Sequence, residues 1–118
     1  SFNFGSGNSI TLEAWINPSD IIQNNRETII AKGQSNGAKN FFFNIFGTNN
    51  GQGDLEFQYV DASNNPHIFR TSNSPLLNNV WHHVAITYTY GTGSSLVLYI
   101  DGCPVNGSYI SGDGNGAP

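Results

Sequence analysis

The stretch that decides the fold of this chain is residues 81–102, which read WHHVAITYTYGTGSSLVLYIDG. Apolar side chains alternate with small or polar ones over residues 84–89, and this two-residue period is typical of a strand with one buried face. The alternation returns over residues 96–100, after a link whose Gly and Ser residues favour neither helix nor strand. Asp101 and Gly102 then favour a tight reversal, because both tolerate a positive φ better than most residues. The stretch therefore predicts a long hairpin followed by a second turn.

Other strand-like segments precede this hairpin, with turn residues between them. Residues 9–17 alternate so that Trp15 lies on the polar face of a strand. Residues 40–46 carry apolar side chains on both faces, and we expect both faces to be covered. Residues 55–59 alternate between apolar and polar, which predicts a half-buried strand with Glu56 on its polar face. Because no segment shows sustained helical periodicity, seven or so short strands indicate an antiparallel sandwich.

Three motifs, in this order along the chain, resemble the LamG-like jelly-roll domains of the concanavalin A-like lectin/glucanase superfamily. They are SITLEAWINP at residues 9–18, TIIAKG at residues 28–33, and the hairpin at residues 81–102. The resemblance covers roughly the whole chain. It implies an all-β, antiparallel two-sheet jelly-roll sandwich formed by residues 1–118 as a single domain. Members of the family are mostly extracytoplasmic, so we expect this chain outside the cell or at the surface of a cell or particle.

The chain departs from the family pattern at its two ends. A complete LamG-like jelly roll is longer, with an opening strand before residue 9 and a closing strand after residue 117. Phe2 and Phe4 are interpreted as a remnant of the first, and the second has no counterpart in the sequence. Missing edge strands leave backbone donors and acceptors unpaired, which proteins normally avoid. We therefore expect a fragment of a longer polypeptide, or a homo-oligomer in which a neighbouring chain donates the strand.

Composition and charge exclude two classes of partner. The formal net charge is −4, and the 118 residues include only four Lys and Arg, so no basic stripe is available to contact nucleic acid. The apolar runs are far shorter than the roughly 20 residues of a membrane-spanning helix, so membrane insertion is not expected. Cys103 is the single cysteine. It cannot form an intrachain disulfide, and we expect it to be a half-buried apolar residue beside a turn.

The sequence offers no recognisable catalytic site. Glucanases of the superfamily place two carboxylates on one strand face, and the nearest approach here, Asp54 and Glu56, lacks a third acid. His82 and His83 are neighbours in a strand and point to opposite faces, so they cannot grip one metal ion together. His67 has no partner at ligand spacing. The chain is therefore predicted not to be an enzyme.

No cofactor is expected, with calcium as the one alternative. Family members often hold Ca²⁺ at a rim of the sandwich, and the carboxylates of Asp20, Asp54, Asp61 and Asp113 lie in or near loops here. Loop Asp residues are more often ordinary turn formers. The Gly-rich tail, residues 111–118, is expected to fray.

The remaining candidates for a ligand site are aromatic. Trp15, Tyr99 and Phe42 lie on strand faces that also carry polar residues, and sugars stack their C–H faces on such rings. The alternative is that these rings are packed under loops. The sequence thus favours a non-catalytic extracellular module that binds carbohydrate or mediates adhesion, with a glycan or a surface protein as partner. The rival hypothesis is a structural protein–protein module of a surface fibre, virion or larger surface protein that assembles through strand edges.

Overall fold

The computed structural model of the chain describes residues 4–33 and 41–116. Within these residues there are ten strands, one turn of 3₁₀ helix at Gly93–Ser95, and no α-helix. The strands are β1 (Ser9–Ile16), β2 (Arg26–Lys32), β3 (Phe41–Asn49), β4 (Gln52–Val60), β5 (Pro66–Thr71), β6 (Leu76–Leu77), β7 (His82–Thr89), β8 (Val97–Ile100), β9 (Cys103–Val105) and β10 (Gly107–Ser111). The described residues contain no helix long and apolar enough to cross a membrane.

The strands form two antiparallel sheets. One has four strands in the order β1-β7-β8-β9, and the other has the order β10-β5-β4-β3-β2, with the short β6 paired to β4. All paired strands are antiparallel. The predicted all-β sandwich of two antiparallel sheets is therefore confirmed, with more strands than the sequence pattern resolved.

The core lies between the two sheets and follows the predicted alternation. In the hairpin, Val84, Ile86 and Leu98 are completely buried. They face Phe43 and Leu55 of the six-stranded sheet, which are also completely buried. Since successive strand residues point to opposite faces, each strand contributes every second side chain to this layer.

The predicted reversal after the hairpin is also present. Asp101 has a φ of 53° and Gly102 a φ of 81°, and both values lie in the left-handed region that the turn requires. The Asp101 carboxylate holds the turn in place: Oδ1 accepts a hydrogen bond from the backbone N–H of His83 at 3.0 Å, and Oδ2 lies 2.8 Å from His82 Nδ1. These contacts join the turn to the start of β7.

The two long sides of the sandwich differ. On one side the chain passes directly from β9 in the four-stranded sheet to β10 in the six-stranded sheet through Asn106. On the other side β1 and β2 are the outermost strands of the described sheets. A groove of about 490 Å³ runs between them and is lined mainly by apolar residues, among them Ile10, Leu12 and Ile30.

Phe2 and Phe4, near the start of the chain, were interpreted as a remnant of an opening strand. Phe2 lies outside the described residues. Phe4 is not part of a strand. Its ring stacks on that of Tyr90 with the ring centroids 5.5 Å apart, and its centroid lies 6.2 Å from that of Phe41. Phe4 thus packs at one end of the groove, and the expectation of missing edge strands stays a prediction.

Cys103 and the tail differ from the sequence-based expectation. Cys103 is exposed rather than half-buried, because it begins β9 directly after the turn, at the edge of the four-stranded sheet. The tail was expected to fray, but residues 112–116 are fixed by side chains of the sandwich. The Tyr88 hydroxyl donates to Gly114 O, the Tyr59 hydroxyl contacts Gly116 O, and Asn115 Oδ1 accepts from the backbone N–H of Gly93.

Candidate functional site

The structure divides the three predicted ligand-binding residues between two surfaces. Trp15 and Tyr99 lie on the outer face of the four-stranded sheet, where Trp15 pairs with His83 and Tyr99 pairs with Ala85. Phe42 lies on the outer face of the six-stranded sheet. The three residues therefore cannot form a single site.

The first surface is centred on Ala85. We define the Trp15 face as Glu13, Trp15, His83, Ala85 and Tyr99. Glu13, Ala85 and Tyr99 form one cross-strand row, and Trp15 and His83 form the next. Because Ala85 carries only a methyl group, the larger side chains surround a low point in the surface.

Polar groups on the Trp15 face lie beside its aromatic ring. The side chain of Trp15 is 68% exposed, and its ring meets the His83 ring edge-on, with the ring centroids 5.3 Å apart. His83 Nε2 lies 3.5 Å from Glu13 Oε2. The alternative that Trp15 is packed under a loop is therefore not what the structure shows. An exposed ring next to a carboxylate and an imidazole can stack on a sugar and hydrogen-bond its hydroxyls.

A second exposed tryptophan was not singled out from the sequence. Trp81 is 64% exposed and directly precedes β7, whose first residue His82 pairs with Ile16 at the end of β1. Trp81 and Trp15 thus lie at the same end of the four-stranded sheet. The sequence did contain a signal for it. Trp81 comes before the alternating residues of the strand, so the alternation does not assign its ring to the core.

The outer face of the six-stranded sheet carries a cluster of charged and aromatic residues. We define the arginine face as Arg26, Phe42, Asn44, Phe46, Glu56 and Arg70. Glu56 was predicted to lie on the polar face of a half-buried strand, but it is completely buried. The reason is that two arginines cover it: Arg26 Nε lies 2.6 Å from Glu56 Oε1, and Arg70 Nη2 lies 2.7 Å from Oε2.

The same two arginines also cover part of the outer face of β3. The Arg70 guanidinium lies 3.6 Å from the centroid of the Phe46 ring, and that of Arg26 lies 5.3 Å from it. Phe42 and Phe46 are half-buried. The prediction that both faces of this strand are covered is therefore correct for the core side and partly correct for the outer side.

Neither carboxylate of β4 is arranged for glycoside hydrolysis. Both oxygens of Glu56 accept hydrogen bonds from guanidinium groups. Asp54 is buried, and its Oδ1 accepts hydrogen bonds from the Thr71 hydroxyl and the backbone N–H of Ser74, each at 2.9 Å. A nucleophile and a general acid must both reach the glycosidic bond, whereas these two carboxylates hold protein groups.

Hydrogen bonds to His67, which the sequence did not reveal, fix the tail. His67 is buried, and its Nδ1 accepts hydrogen bonds from the backbone N–H groups of Asp113 at 3.2 Å and Gly114 at 3.0 Å. Its proton is therefore on Nε2, which donates to Asp61 Oδ2 at 3.1 Å. The two tail residues, Asp113 and Gly114, are 46 and 47 residues away from His67 in sequence, so no local spacing could have indicated them.

Hydrogen bonds to Asp61 hold its carboxyl pKa at about 2, with the backbone N–H of Asn65 as the largest cause and His67 as the next. The pKa of Asp113 is also lowered, chiefly by the backbone N–H of Asn115. Both carboxylates thus accept hydrogen bonds from their own loops, the behaviour typical of turn formers.

The four calcium candidates are only partly brought together. Asp61 and Asp113 both lie near His67, with Asp113 Oδ1 3.8 Å from Nδ1. Asp54 is buried and hydrogen-bonded to Thr71 and Ser74, and Asp20 lies in the exposed link between β1 and β2. Within residues 4–33 and 41–116, no group of three or more His, Cys, Asp or Glu side chains is placed to hold a metal ion.

The two neighbouring histidines are separated as predicted. His82 points into the sandwich and is 5% exposed, while His83 lies on the outer face beside Trp15. His82 Nδ1 lies 2.8 Å from Asp101 Oδ2, and its buried Nε2 has no partner within the described part of the chain. Its role is to tie β7 to the Asp101 turn.

Comparison with known proteins agrees with this architecture. A family model described as the concanavalin A-like lectin/glucanases superfamily matches residues 1–117. No curated protein matches the chain. Laminin G-like domains of this kind are as a class carbohydrate-binding or adhesive modules and are usually extracellular, whereas the superfamily also includes glycosidases.

Proposed function

Because this chain belongs to the concanavalin A-like lectin/glucanases superfamily, we propose that it is a non-catalytic extracellular module that binds carbohydrate through the Trp15 face. The observation that carries the proposal is the exposure of Trp15, whose side chain is 68% exposed at the next-to-last position of β1. An apolar ring of this size is normally among the most buried side chains on average. Its exposure on a sheet face is expected where a ligand covers it.

The groups around Trp15 support a saccharide ligand. A pyranose ring presents C–H groups on one face and hydroxyls at its edges, so it needs an aromatic ring flanked by hydrogen-bonding groups. Glu13 and His83 provide those groups beside the indole, and Tyr99 lies one row away across Ala85. Tyr99 is half-buried, so part of its ring is available to stack with an adjoining sugar unit.

Calcium is not part of the proposed contact. The two acidic residues that come closest together, Asp61 and Asp113, surround His67 and belong to the other sheet and the tail. We therefore expect glycan binding to be unchanged when calcium is removed with a chelator.

A glycan array screened with the purified domain, with calcium and again with chelator, tests the proposal. The strongest binder is then titrated against the parent chain, Trp15→Ala and Tyr99→Ala, with the fold checked by circular dichroism. We expect Trp15→Ala to weaken binding at least about tenfold, which corresponds to roughly 1.4 kcal/mol. Ile110→Ala is the matched control, because Ile110 is also exposed (55%) but lies on β10 of the other sheet. Equal affinity of all four chains would reject the Trp15 face.

A second candidate function is favoured by the groove between β1 and β2. Each of these two strands is an edge strand of its described sheet, and core residues line the groove between them. Backbone groups along such edges pair readily with a strand from a neighbouring chain. We propose as the alternative a structural module that assembles through these edges, as in a surface fibre or virion.

Analytical ultracentrifugation over a range of protein concentrations tests this alternative. Edge pairing predicts a concentration-dependent dimer that Thr11→Lys abolishes, because a lysine on an exposed edge strand opposes pairing. Thr87→Lys, on the same outer face but in the interior strand β7, is the matched control. A monomer at every concentration would contradict the hypothesis of self-assembly through strand edges.

A further inference from the structure

The arginine face contains more positive charge than its buried carboxylate needs. Glu56 carries one negative charge, and Arg26 and Arg70 both contact it. One positive charge therefore remains on this surface. It stands out because the whole chain has a net charge of −4 and only four basic residues, of which these are two.

Both guanidinium groups also keep donors that Glu56 does not use. A guanidinium has five N–H donors in a planar fork. Arg26 and Arg70 each contact Glu56 through Nε and Nη2, so three of the five donors of each remain, among them both Nη1 donors. Within the described residues, no further hydrogen bond from either group is present. The Nη1 donors point away from Glu56, because Nη1 lies on the other edge of the fork.

The two arginines differ in how firmly they are held. Arg70 is 19% exposed in its side chain and its Cζ lies 3.6 Å from the centroid of the Phe46 ring, whereas Arg26 is 42% exposed. A fixed guanidinium loses little entropy when it binds a further group, and Arg is well suited to planar recognition of carboxylates. The pair thus combines one preorganised donor with one adaptable donor.

A second, independent feature of the same face is a polar atom without a partner. Asn44 is 1% exposed, and its Oδ1 makes no hydrogen bond within the described residues. Asn44 lies between Phe42 and Phe46 along β3 and directly beside Glu56 on β4. A buried unpaired acceptor is costly and rare, and it requires an explanation such as a bound group or water.

We propose that the arginine face is a second ligand site, which binds the carboxylate of an acidic saccharide such as a uronic acid. The carboxylate would accept hydrogen bonds from the free Nη1 donors of Arg26 and Arg70, and the sugar ring would lie towards Phe42. A sugar hydroxyl would donate to Asn44 Oδ1 once the side chains that cover Asn44 move aside. Phe42 thereby has a role separate from Trp15. The saccharide nature of the ligand rests on the proposed function, but the site lies on the opposite sheet, so the two sites can fail independently.

The test is a titration of the ¹⁵N-labelled chain followed by nuclear magnetic resonance, which observes the arginine Nε–H groups directly. Trigalacturonate is the acidic ligand, and galactotriose is the matched neutral control. A sulfated galactose trimer, free acetate and inorganic sulfate form three further arms. We expect saturable shifts of the Arg26 and Arg70 Nε–H signals with trigalacturonate and none with galactotriose.

Variants separate ligand binding from a purely structural role. Arg26→Gln removes the exposed guanidinium and leaves Arg70 on Glu56, and we expect it to weaken trigalacturonate binding about tenfold or more. Arg26→Lys should recover only part of the affinity, because an ammonium lacks the fork. Val80→Ala should leave this binding unchanged, because Val80 is exposed and belongs to neither the Trp15 face nor the arginine face. Chemical denaturation of each variant shows whether it remains folded.

Four outcomes would overturn the inference. The first is the absence of arginine shifts at millimolar trigalacturonate. The second is an equal response to acetate or inorganic sulfate at the same concentration, which would mean simple anion binding. The third is binding of the sulfated trimer without the uronate. The fourth is perturbation confined to the Trp15 face, which would leave the proposed function intact while removing this site.

Discussion

Tyr59 and Tyr88 belong to opposite sheets, and their hydroxyl oxygens lie 2.8 Å apart in the core. The same hydroxyls contact the carbonyls of Gly116 and Gly114. Burial raises the pKa of both tyrosines, so both hydroxyls stay protonated in the folded chain. Two protons must serve three contacts, so at any moment one tyrosine donates to the other or each donates to the tail.

We expect Tyr88→Phe to lower the free energy of unfolding by about 2 kcal/mol, because it leaves buried polar groups of Tyr59 and the tail without a donor. Urea denaturation measures the change. Tyr90→Phe is the matched control, since Tyr90 is equally buried and its hydroxyl makes no hydrogen bond within the described residues. A loss in the control as large as that in Tyr88→Phe would contradict the hydrogen-bond explanation.

The depressed pKa of Asp61 predicts a loss of stability in acid. Its folded value of about 2 lies below the ordinary 3.8, so the carboxylate contributes stability above about pH 4 that is lost as the pH falls towards 2. We expect Asp61→Asn to be less stable than the parent at pH 6 and to show a shallower decline between pH 4 and pH 2. Guanidinium chloride midpoints across this range provide the measurement, and parallel declines would refute the assignment.

The turn at Asp101 and Gly102 gives a purely conformational prediction. Gly102 has a φ of 81°, and a Cβ added there would meet nothing within 4 Å. We therefore expect Gly102→Ala to cost about 1 kcal/mol through backbone strain alone. Gly102→Asn should recover most of that loss, because Asn tolerates the left-handed region. Thermal unfolding of the two variants distinguishes them, and equal melting temperatures would exclude strain as the cause.

Removing the carboxylate of Glu56 should harm stability more than removing one of its partners. Glu56→Gln leaves two guanidinium groups without an anion, and breaking a buried ion pair typically costs about 3–5 kcal/mol. We expect about 2 kcal/mol here, because Arg26 is 42% exposed. Arg26→Gln should cost under about 1 kcal/mol, as for exposed pairs. Urea denaturation of both variants checks the order, and the reverse order would be inconsistent with the cluster.

The faces of the hairpin could be predicted because the information is local. Alternation within residues 84–89 and 96–100 assigned Val84, Ile86 and Leu98 to the core, and their burial depends only on which face of the strand they occupy. The Asp101 turn was predictable for the same reason, since its conformation is set by two adjacent residues.

The burial of Glu56 could not be predicted in this way. Its two partners lie 14 and 30 residues away, and only the pairing of β4 with β5 and β3, and of β3 with β2, brings them over it. Composition likewise suggested a frayed tail, because Gly residues are flexible in isolation. The tail is ordered by His67, Tyr59 and Tyr88, and none of them is near it in sequence.

The candidate ligand residues were partly predictable. The strand pattern placed Trp15 and Tyr99 on outward faces, but it could not show that they share one sheet or that Phe42 belongs to the other. Exposure depends on whether a loop covers a face, and that is a property of the whole fold.

The chain passes between the two sheets three times: from β1 to β2 through residues 17–25, from β6 to β7 through residues 78–81, and from β9 to β10 through Asn106 alone. The link at Asn106 is a single residue, whereas residues 17–25 form a longer link between β1 and β2, so the sheets are held more closely at β9 and β10 than at β1 and β2. Amide hydrogens of these two strands should exchange with solvent sooner than those of β4 and β7, and small apolar molecules should reach the core from that side. The sandwich is therefore expected to be most dynamic along the side formed by β1 and β2.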